Sequence, residues 1–456
     1  MSNVIENVNA SHNVNEMLNR AIATLVDLYT AKPHFIYELL QNAEDAEATR
    51  VVFIEKDDAL QVLHDGRPFT ERNLTGLTDI GLSDKLPETN KIGKFGVGFK
   101  SVFTICKDLY VASEPSHWHG DIKGRYPKFS AWVTDYIHLD EADPVEIPEG
   151  YTTFFQFGYF VNEKRYDGFE SIEEIQETIA QKLQDIGNTT LLFLKNIQTI
   201  EYRIEYGGQK KSGSYTLEKK KLSSSLTDVI AKGLTDDKPS LAHYLKFTRP
   251  IKIDNVERSV DIAFKVVADE KDNSLKFVKP DNGCVSVYFP TGTVSGLNFI
   301  VQGPFRTTPN RSEVLRNSAD NIKLVNQVAF LLRQAIVELK TKKLVTAEFL
   351  NMLPFDKSVF KHLPLFASLV DSIKQIFASE AIFPGQEGGY WTKDQIFISR
   401  NNEMAALFGD GLLTELVGRK TVWVSTKIKQ FGDFDSFFYW YCRKVGDGIL
   451  CLRSAA

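Results

Sequence analysis

Gly93, Gly96 and Gly98 stand close together and run directly into Phe99-Lys-Ser-Val-Phe-Thr-Ile105, an apolar stretch compatible with a helix. Glycines in such numbers free the backbone to fold around a ligand, and a loop that enters a helix presents unpaired N–H groups to an anion. Phosphate is the obvious anion. The spacing is neither that of a Walker A loop nor that of a strand-to-helix dinucleotide fingerprint, so the meaning of the loop depends on what else the chain carries.

About fifty residues upstream, His34-Phe-Ile-Tyr-Glu-Leu-Leu-Gln-Asn-Ala-Glu-Asp-Ala-Glu-Ala-Thr-Arg50 follows Pro33, which suits a first helical turn. Within the predicted helix Glu38 and Asn42 are four apart and Asn42 and Asp45 three apart, so the three project from neighbouring positions. One reading is a solvated polar face. The other gives each residue work: Glu38 polarises an attacking water, Asn42 ligates Mg²⁺ through oxygen, and Asp45 orients the site or bonds the nucleotide.

Two short strands are predicted next, over 51–55 and 60–64, the second ending in Asp65-Gly-Arg-Pro-Phe69. A carboxylate at such a turn accepts the exocyclic amine of adenine, and Gly66 lets a base approach the backbone. An ordinary turn has the same spelling. Residues 70–92, with Gly76, Gly81 and Pro87, suit a segment that covers a ligand and delivers the chain to the glycine loop.

Taken in order, Glu38-Leu-Leu-Gln-Asn-Ala-Glu-Asp-Ala46, Asp65-Gly66 and Ile92-Gly-Lys-Phe-Gly-Val-Gly-Phe-Lys-Ser-Val-Phe103 resemble the nucleotide-binding boxes of the gyrase/Hsp90/histidine-kinase/MutL (GHKL) superfamily. The likeness is greatest to the Hsp90-like ATPase modules of sacsin-type proteins. It implies an α/β fold: a two-layer Bergerat-type domain with ATP held between helices and a mixed sheet. Carried over by residue, Glu38 resembles the general base and Asn42 the Mg²⁺ ligand. Asp65 resembles the adenine-binding aspartate, with Asp45 and Gly66 beside it. Gly93, Lys94, Phe95, Gly96, Val97 and Gly98 resemble the phosphate loop. The turn Asp65-Gly66-Arg67 departs from the fuller DxGxG pattern. Lys94 either offers its charge to the phosphates or faces solvent; Lys100 is structural or faces a dimer partner. The resemblance also implies a threonine near the aspartate, for which Thr190, at the start of a predicted buried strand 187–195, is the candidate.

The remaining length is ample for further folded units: the chain has 456 residues, 43% of them apolar. The predicted division is 1–205 for the ATP-binding domain, 206–343 for a transducer-like α/β domain, and 344–456 for a mixed α/β C-terminal region. Helices are expected over 14–31, 168–186 and 321–343 by their apolar spacing. The first of these resembles elements that dimerise such proteins when ATP binds. Lys210, Lys211 and Lys219–221 are expected on an exposed hairpin. In Gln302-Gly-Pro-Phe-Arg-Thr-Thr-Pro-Asn-Arg-Ser-Glu-Val-Leu-Arg316, Arg306 and Arg311 are candidates for a basic group reaching the γ-phosphate, against an ordinary loop ion pair.

A net charge of −5 argues against a uniformly basic nucleic-acid surface. Four dispersed cysteines form no CxxC pair, which points away from zinc and from a disulfide framework and toward a reducing, cytoplasmic setting. His117 and His119 lack a supporting ligand set. No basic leader precedes an apolar run, and no run is long enough to span a membrane. The expectation is therefore an ATPase using ATP and Mg²⁺, coupled to conformational change or an ATP-dependent homodimer. The alternative is a nucleotide-sensing interaction module without turnover. Histidine phosphotransfer lacks an acceptor-helix context, and a protein or nucleic-acid client is not written in the chain.

Overall fold

The computed structural model describes residues 35–78, 98–114, 116–117, 125–126, 128–134, 138–161, 168–253, 255–281, 283–308, 312–355, 357–361, 363–397, 407 and 409–424. The expected helix 14–31 and the aromatic segment 431–441 lie outside them.

One mixed sheet of 15 strands carries the described chain. Its N-terminal half contains β1 (Arg50–Lys56), β2 (Ala59–His64), β3 (Cys106–Ser113), β4 (Phe129–Thr134), β5 (His138–Glu141) and β6 (Thr153–Tyr159). The other half begins with β7 (Thr199–Glu205), β8 (Lys211–Lys221), β9 (Leu226–Thr235), β10 (Lys238–Ile253) and β11 (Val256–Ala268). It ends with β12 (Leu275–Val278), β13 (Cys284–Val287), β14 (Phe289–Val294) and β15 (Ile300–Gln302). The order is β14-β13-β15-β11-β10-β9-β8-β7-β1-β2-β6-β3-β4-β5, with β12 on β11. The two halves meet where β7 lies parallel to β1, Val51 opposite Ile200 and Phe53 opposite Tyr202. The boundary expected at 205/206 falls in the connection between β7 and β8, and the sheet runs through it.

Helices cover opposite faces in the two halves. In the first, α1 (Phe35–Asp45) and α3 (Ile172–Gln184) pack on Val51, Phe53, Val62, Val111 and Phe157. Side chains alternate across a strand, so Leu63, Tyr110, Ala112 and Phe154 form a small core on the other face. In the second half, α4 (Ala319–Thr341) and α5 (Ser368–Ser379) pack that other way, on Leu245, Phe247, Ile262 and Phe264. The face of β8–β11 turned from α4 contributes Tyr215, Val229, Tyr244 and Ala263 to the first core. The core under α1 and α3 is thus shared by both halves, whereas the core under α4 and α5 draws only on residues from Leu226 onward.

Two elements depart from expectation. Residues 188–193 form turns, not a strand, because their apolar side chains Leu191, Leu192 and Leu194 are buried from successive turns rather than alternately. The lysine-rich stretch is an interior strand. Period two puts Tyr215, Leu217 and Lys219 on one face, and the Lys219 ammonium, half-desolvated with its pKa lowered to about 8, donates to the Leu194 carbonyl at 2.8 Å. Lys210, Lys211 and Lys219–221 are all exposed as residues, on the hairpin that β8 makes with β9; the departure is that β8 is also paired to β7 and that the Lys219 ammonium is tucked against backbone.

Candidate functional site

Helix α1 forms where the sequence places it and stops for a local reason. Ala48 N–H reaches Ala43 O (2.9 Å) and Glu47 N–H reaches Glu44 O (3.0 Å), a Schellman closure with Glu47 left-handed at φ 61. The next turn is held from outside by the Asp65 carboxylate. Its Oδ1 accepts Thr49 N–H (2.7 Å) and Arg50 N–H (2.9 Å), and its Oδ2 accepts the Thr49 hydroxyl. Asp65 thus fixes the helix-to-strand joint that aims α1.

Gly66 is pressed against that joint. A Cβ there would stand 2.7 Å from Ala46 O, and Arg67 N–H donates to the same oxygen at 2.7 Å. The close approach Gly66 permits is therefore to the end of α1. Arg67 Nη2 also donates to Asp45 O at 3.0 Å.

Glu38 lies on the buried side of α1, 4% exposed, while Asn42 one turn on is half-buried. Opposite them the glycine loop arrives at Gly98, the first residue of a 3₁₀ segment, Gly98–Thr104, where an α-helix was expected. A Cβ on Gly98 would overlap the Glu38 carboxylate, 2.6 Å from its carboxyl carbon and 3.3 Å from Oε1. Only a glycine lets the loop end rest on this acid. Lys100 is structural: fully buried, it donates through Nζ to Leu77 O (2.8 Å), in the last turn of α2 (Glu71–Thr78). Gly93, Lys94, Phe95, Gly96, Val97 and Arg311 lie outside the described residues.

Thr190 does not stand at a strand start beside Asp65. Its buried hydroxyl donates to Ile186 O, one turn back. Thr153 stands opposite His64 on β2, next in the chain to Asp65, and opposite Ser113 on β3. Its hydroxyl is buried with no hydrogen-bond partner among the described residues. Around it Gly66 N–H donates to His64 Nδ1 (3.2 Å), Phe69 N–H donates to Ser113 Oγ (2.9 Å), and Thr152 Oγ1 donates to Gly66 O. Burial pushes the His64 pKa down to about 4, so its ring is neutral and Nδ1 accepts. The signal for Thr153 was present in Tyr151-Thr-Thr-Phe-Phe, but only strand register puts it beside Asp65.

Glu44 carries no sequence signal that sets it apart from a solvated helix acid. Its buried carboxylate accepts N–H groups from Lys195 (2.7 Å), Asn196 (3.0 Å) and Ile197 (2.9 Å), binding α1 to the segment that enters β7.

Arg306 is placed in the second half of the sheet, where Nη2 pairs with Asp320 of α4 at 2.6 Å. That is the loop ion pair kept open above. An open depression of about 500 Å³ lies beside this loop, along Thr308 and Glu313–Ser318, and none of the residues predicted for the nucleotide lines it.

No group of three or more His, Cys, Asp or Glu stands at metal-binding distance among the described residues. Mg²⁺ needs no such cage, since it takes one or two protein oxygens, its waters and substrate phosphates. Asn42, half-buried on α1, carries an oxygen of that kind. Cys106 is buried and Cys284 half-buried, both free thiols. No described helix is long and apolar enough to cross a membrane.

Around Glu38 the described residues thus bring together an acid-and-amide helix, Gly98 and the Asp65 turn at the end of β2. A model of the sacsin domain matches residues 15–116. Human sacsin is 31% identical over a 107-residue alignment covering 20% of this chain and 2% of that protein. The similarity to Protein NO VEIN of Arabidopsis thaliana runs further, at 25% identity over 422 residues, 87% of this chain and 15% of that protein. The chain thus spans a small part of the length of both relatives.

Proposed function

We propose that this chain binds Mg²⁺·ATP and hydrolyses it to ADP and phosphate, using the site between α1, β2 and the Gly98 end of the glycine loop. The observation that carries this reading is the seating of Gly98 on the buried Glu38 carboxylate. It brings a phosphate-type loop and a potential base into contact, which a solvated helix face does not require.

The nucleotide enters with its base toward Asp65, Thr153 and His64 and its phosphates toward Gly98. Thr153 supports the first assignment, because a buried hydroxyl without a partner costs about 1–3 kcal/mol unless a ligand or water satisfies it. Asp65 has three donors already, which leaves acceptor capacity for one more. Mg²⁺, held through Asn42 and substrate phosphates, supplies charge neutralisation at the triphosphate. Glu38 accepts a proton from a water as its oxygen attacks the γ-phosphorus in line. The bond to the β–γ bridging oxygen breaks and its electron pair leaves with ADP. Arg306, to act on the γ-phosphate, must first give up Asp320. The cycle drives a change of conformation or an ATP-dependent homodimer, in a reducing, cytoplasmic setting.

Glu38→Gln tests the chemistry. It should keep nucleotide affinity within about threefold and lower turnover by about 10²-fold or more. Near-normal turnover in a contamination-controlled preparation would remove Glu38 from its role. Calorimetric binding with no ADP formed by the wild type would decide for the alternative, a nucleotide sensor without turnover.

A further inference from the structure

Among the contacts that join the two halves away from their β1–β7 seam is a small projection that reaches α1. Strands β13 and β14 form a hairpin whose register runs from Cys284 opposite Val294 to Val287 opposite Phe289, leaving Tyr288 alone at the tip. Tyr288 sits at φ 66, which a bulky L-residue adopts only when its surroundings enforce it. What enforces it is burial: Tyr288 and Phe289 are 8% and 5% exposed and belong to the core under α1, whereas Val285, three residues back, belongs to the core under α4. The Phe289 ring lies 5.4 Å from that of Tyr37 on α1, and Lys182 of α3 caps the other side of Tyr37 at 4.3 Å. The Tyr288 hydroxyl faces Arg258 and lies in the fields of Asp261 and Asp45.

The same hairpin holds the basic loop. Gly303 N–H donates to Ser286 O (3.2 Å), Gly292 N–H to Ser312 O (2.8 Å) and Val314 N–H to Thr293 Oγ1 (2.8 Å). The two arms of the loop, 303–308 and 312–316, are tied to each other through Leu315 N–H to Arg306 O (2.9 Å) and Thr308 N–H to Glu313 O (2.9 Å). Ring contact and backbone hydrogen bonds thus form a continuous path from α1 to Arg306.

We propose that hairpin 284–294 is a positioning element that couples α1 to the arginine-bearing loop: Tyr288 and Phe289 register the position of the helix, and Gly292 and Thr293 carry it to the loop. This rests on the nucleotide reading above only for the signal that moves α1. None of its residues touches the reacting atoms.

The test uses the full chain, Phe289→Ala, Phe289→Leu as the conservative variant, Tyr37→Ala and the double variant. Hydrogen exchange is read in α1, in both loop arms and in β10–β11. Without nucleotide, Phe289→Ala should speed exchange about tenfold in α1 and in the loop arms together, leaving β10–β11 unchanged. Phe289→Leu should restore it, and Tyr37→Ala in the Phe289→Ala background should add little. With Mg²⁺ and a nonhydrolysable ATP analogue, the wild type should gain protection in the loop arms and Phe289→Ala should lose most of that gain. Turnover of Phe289→Ala should fall about tenfold at unchanged KM. If α1 loosens while the loop arms do not, or if the two substitutions multiply, the coupling is refuted. Absence of analogue binding by the wild type would count against the nucleotide reading instead, and the nucleotide-free exchange would still decide on the hairpin.

Discussion

Gly98→Ala is the sharpest perturbation of the site. The added methyl would lie 2.6 Å from the Glu38 carboxyl carbon, where carbon atoms in contact ordinarily stand about 3.5–4.0 Å apart. The carboxylate must retreat by about 1 Å. Because the obstructing group is the end of a flexible side chain and not backbone, the rotation costs little stability, on the order of 1 kcal/mol. The same displacement acts directly on a proton acceptor that must meet its water in line, and a 1 Å error of placement costs about 10²-fold in rate. The variant should therefore unfold within a few degrees of the wild type, bind a nonhydrolysable ATP analogue about as well, and form ADP about a hundredfold more slowly. A coupled ADP-release assay beside thermal unfolding and calorimetry measures all three. Wild-type turnover in Gly98→Ala would refute the reasoning, as would a loss of turnover that merely tracked unfolding.

Glu44→Ala removes the acceptor of three N–H groups of residues 195–197, of which that of Ile197 is buried, and should cost about 1–3 kcal/mol in urea unfolding, while Glu44→Gln, which keeps an acceptor, should cost less. Thr153→Val should leave stability unchanged or raise it slightly, because it removes a partnerless hydroxyl, yet weaken nucleotide binding about tenfold by calorimetry. Glu55, on the helix-covered face of β1, is fully buried beside Tyr159, and burial raises its pKa from 4.5 to about 8. The folded state thus holds a proton that the unfolded chain releases. Its contribution is full below pH 4.5 and is lost as pH rises to 8, and Glu55→Gln should flatten stability across that window. His64 acts oppositely: with its pKa depressed to about 4 against an ordinary 6.5, stability is lost as pH falls through that interval, and His64→Gln should reduce that loss.

What the sequence disclosed was local. Helix α1, β1, β2 and β6, together with α3 and α4, follow from apolar period and flanking turn residues, and α4 begins at Ser318, whose side chain caps Asn321 N–H. The meeting of Glu38 with the loop end was legible as a motif, though its contact at Gly98 required the folded chain. What was hidden depends on partners distant in sequence. The parallel pairing of β1 with β7 joins the halves into one sheet, yet no residue of Arg50–Lys56 announces a neighbour at 199–205. Lys219 is exposed like its neighbours, and only strand parity shows that its ammonium reaches the Leu194 carbonyl. Glu44 has the composition of a solvated acid, and its three N–H donors lie about 150 residues away. Thr190 and Thr153 both follow a turn; only the pairing of Thr153 with His64 separates them.

The most direct test of the central claim is calorimetric titration of the full chain with a nonhydrolysable ATP analogue, with and without Mg²⁺, repeated on Asn42→Ala. The account predicts one site per chain, tighter with Mg²⁺, and loss of that Mg²⁺ dependence in the variant. No heat of binding in the wild type, or binding indifferent to both Mg²⁺ and Asn42, would contradict it.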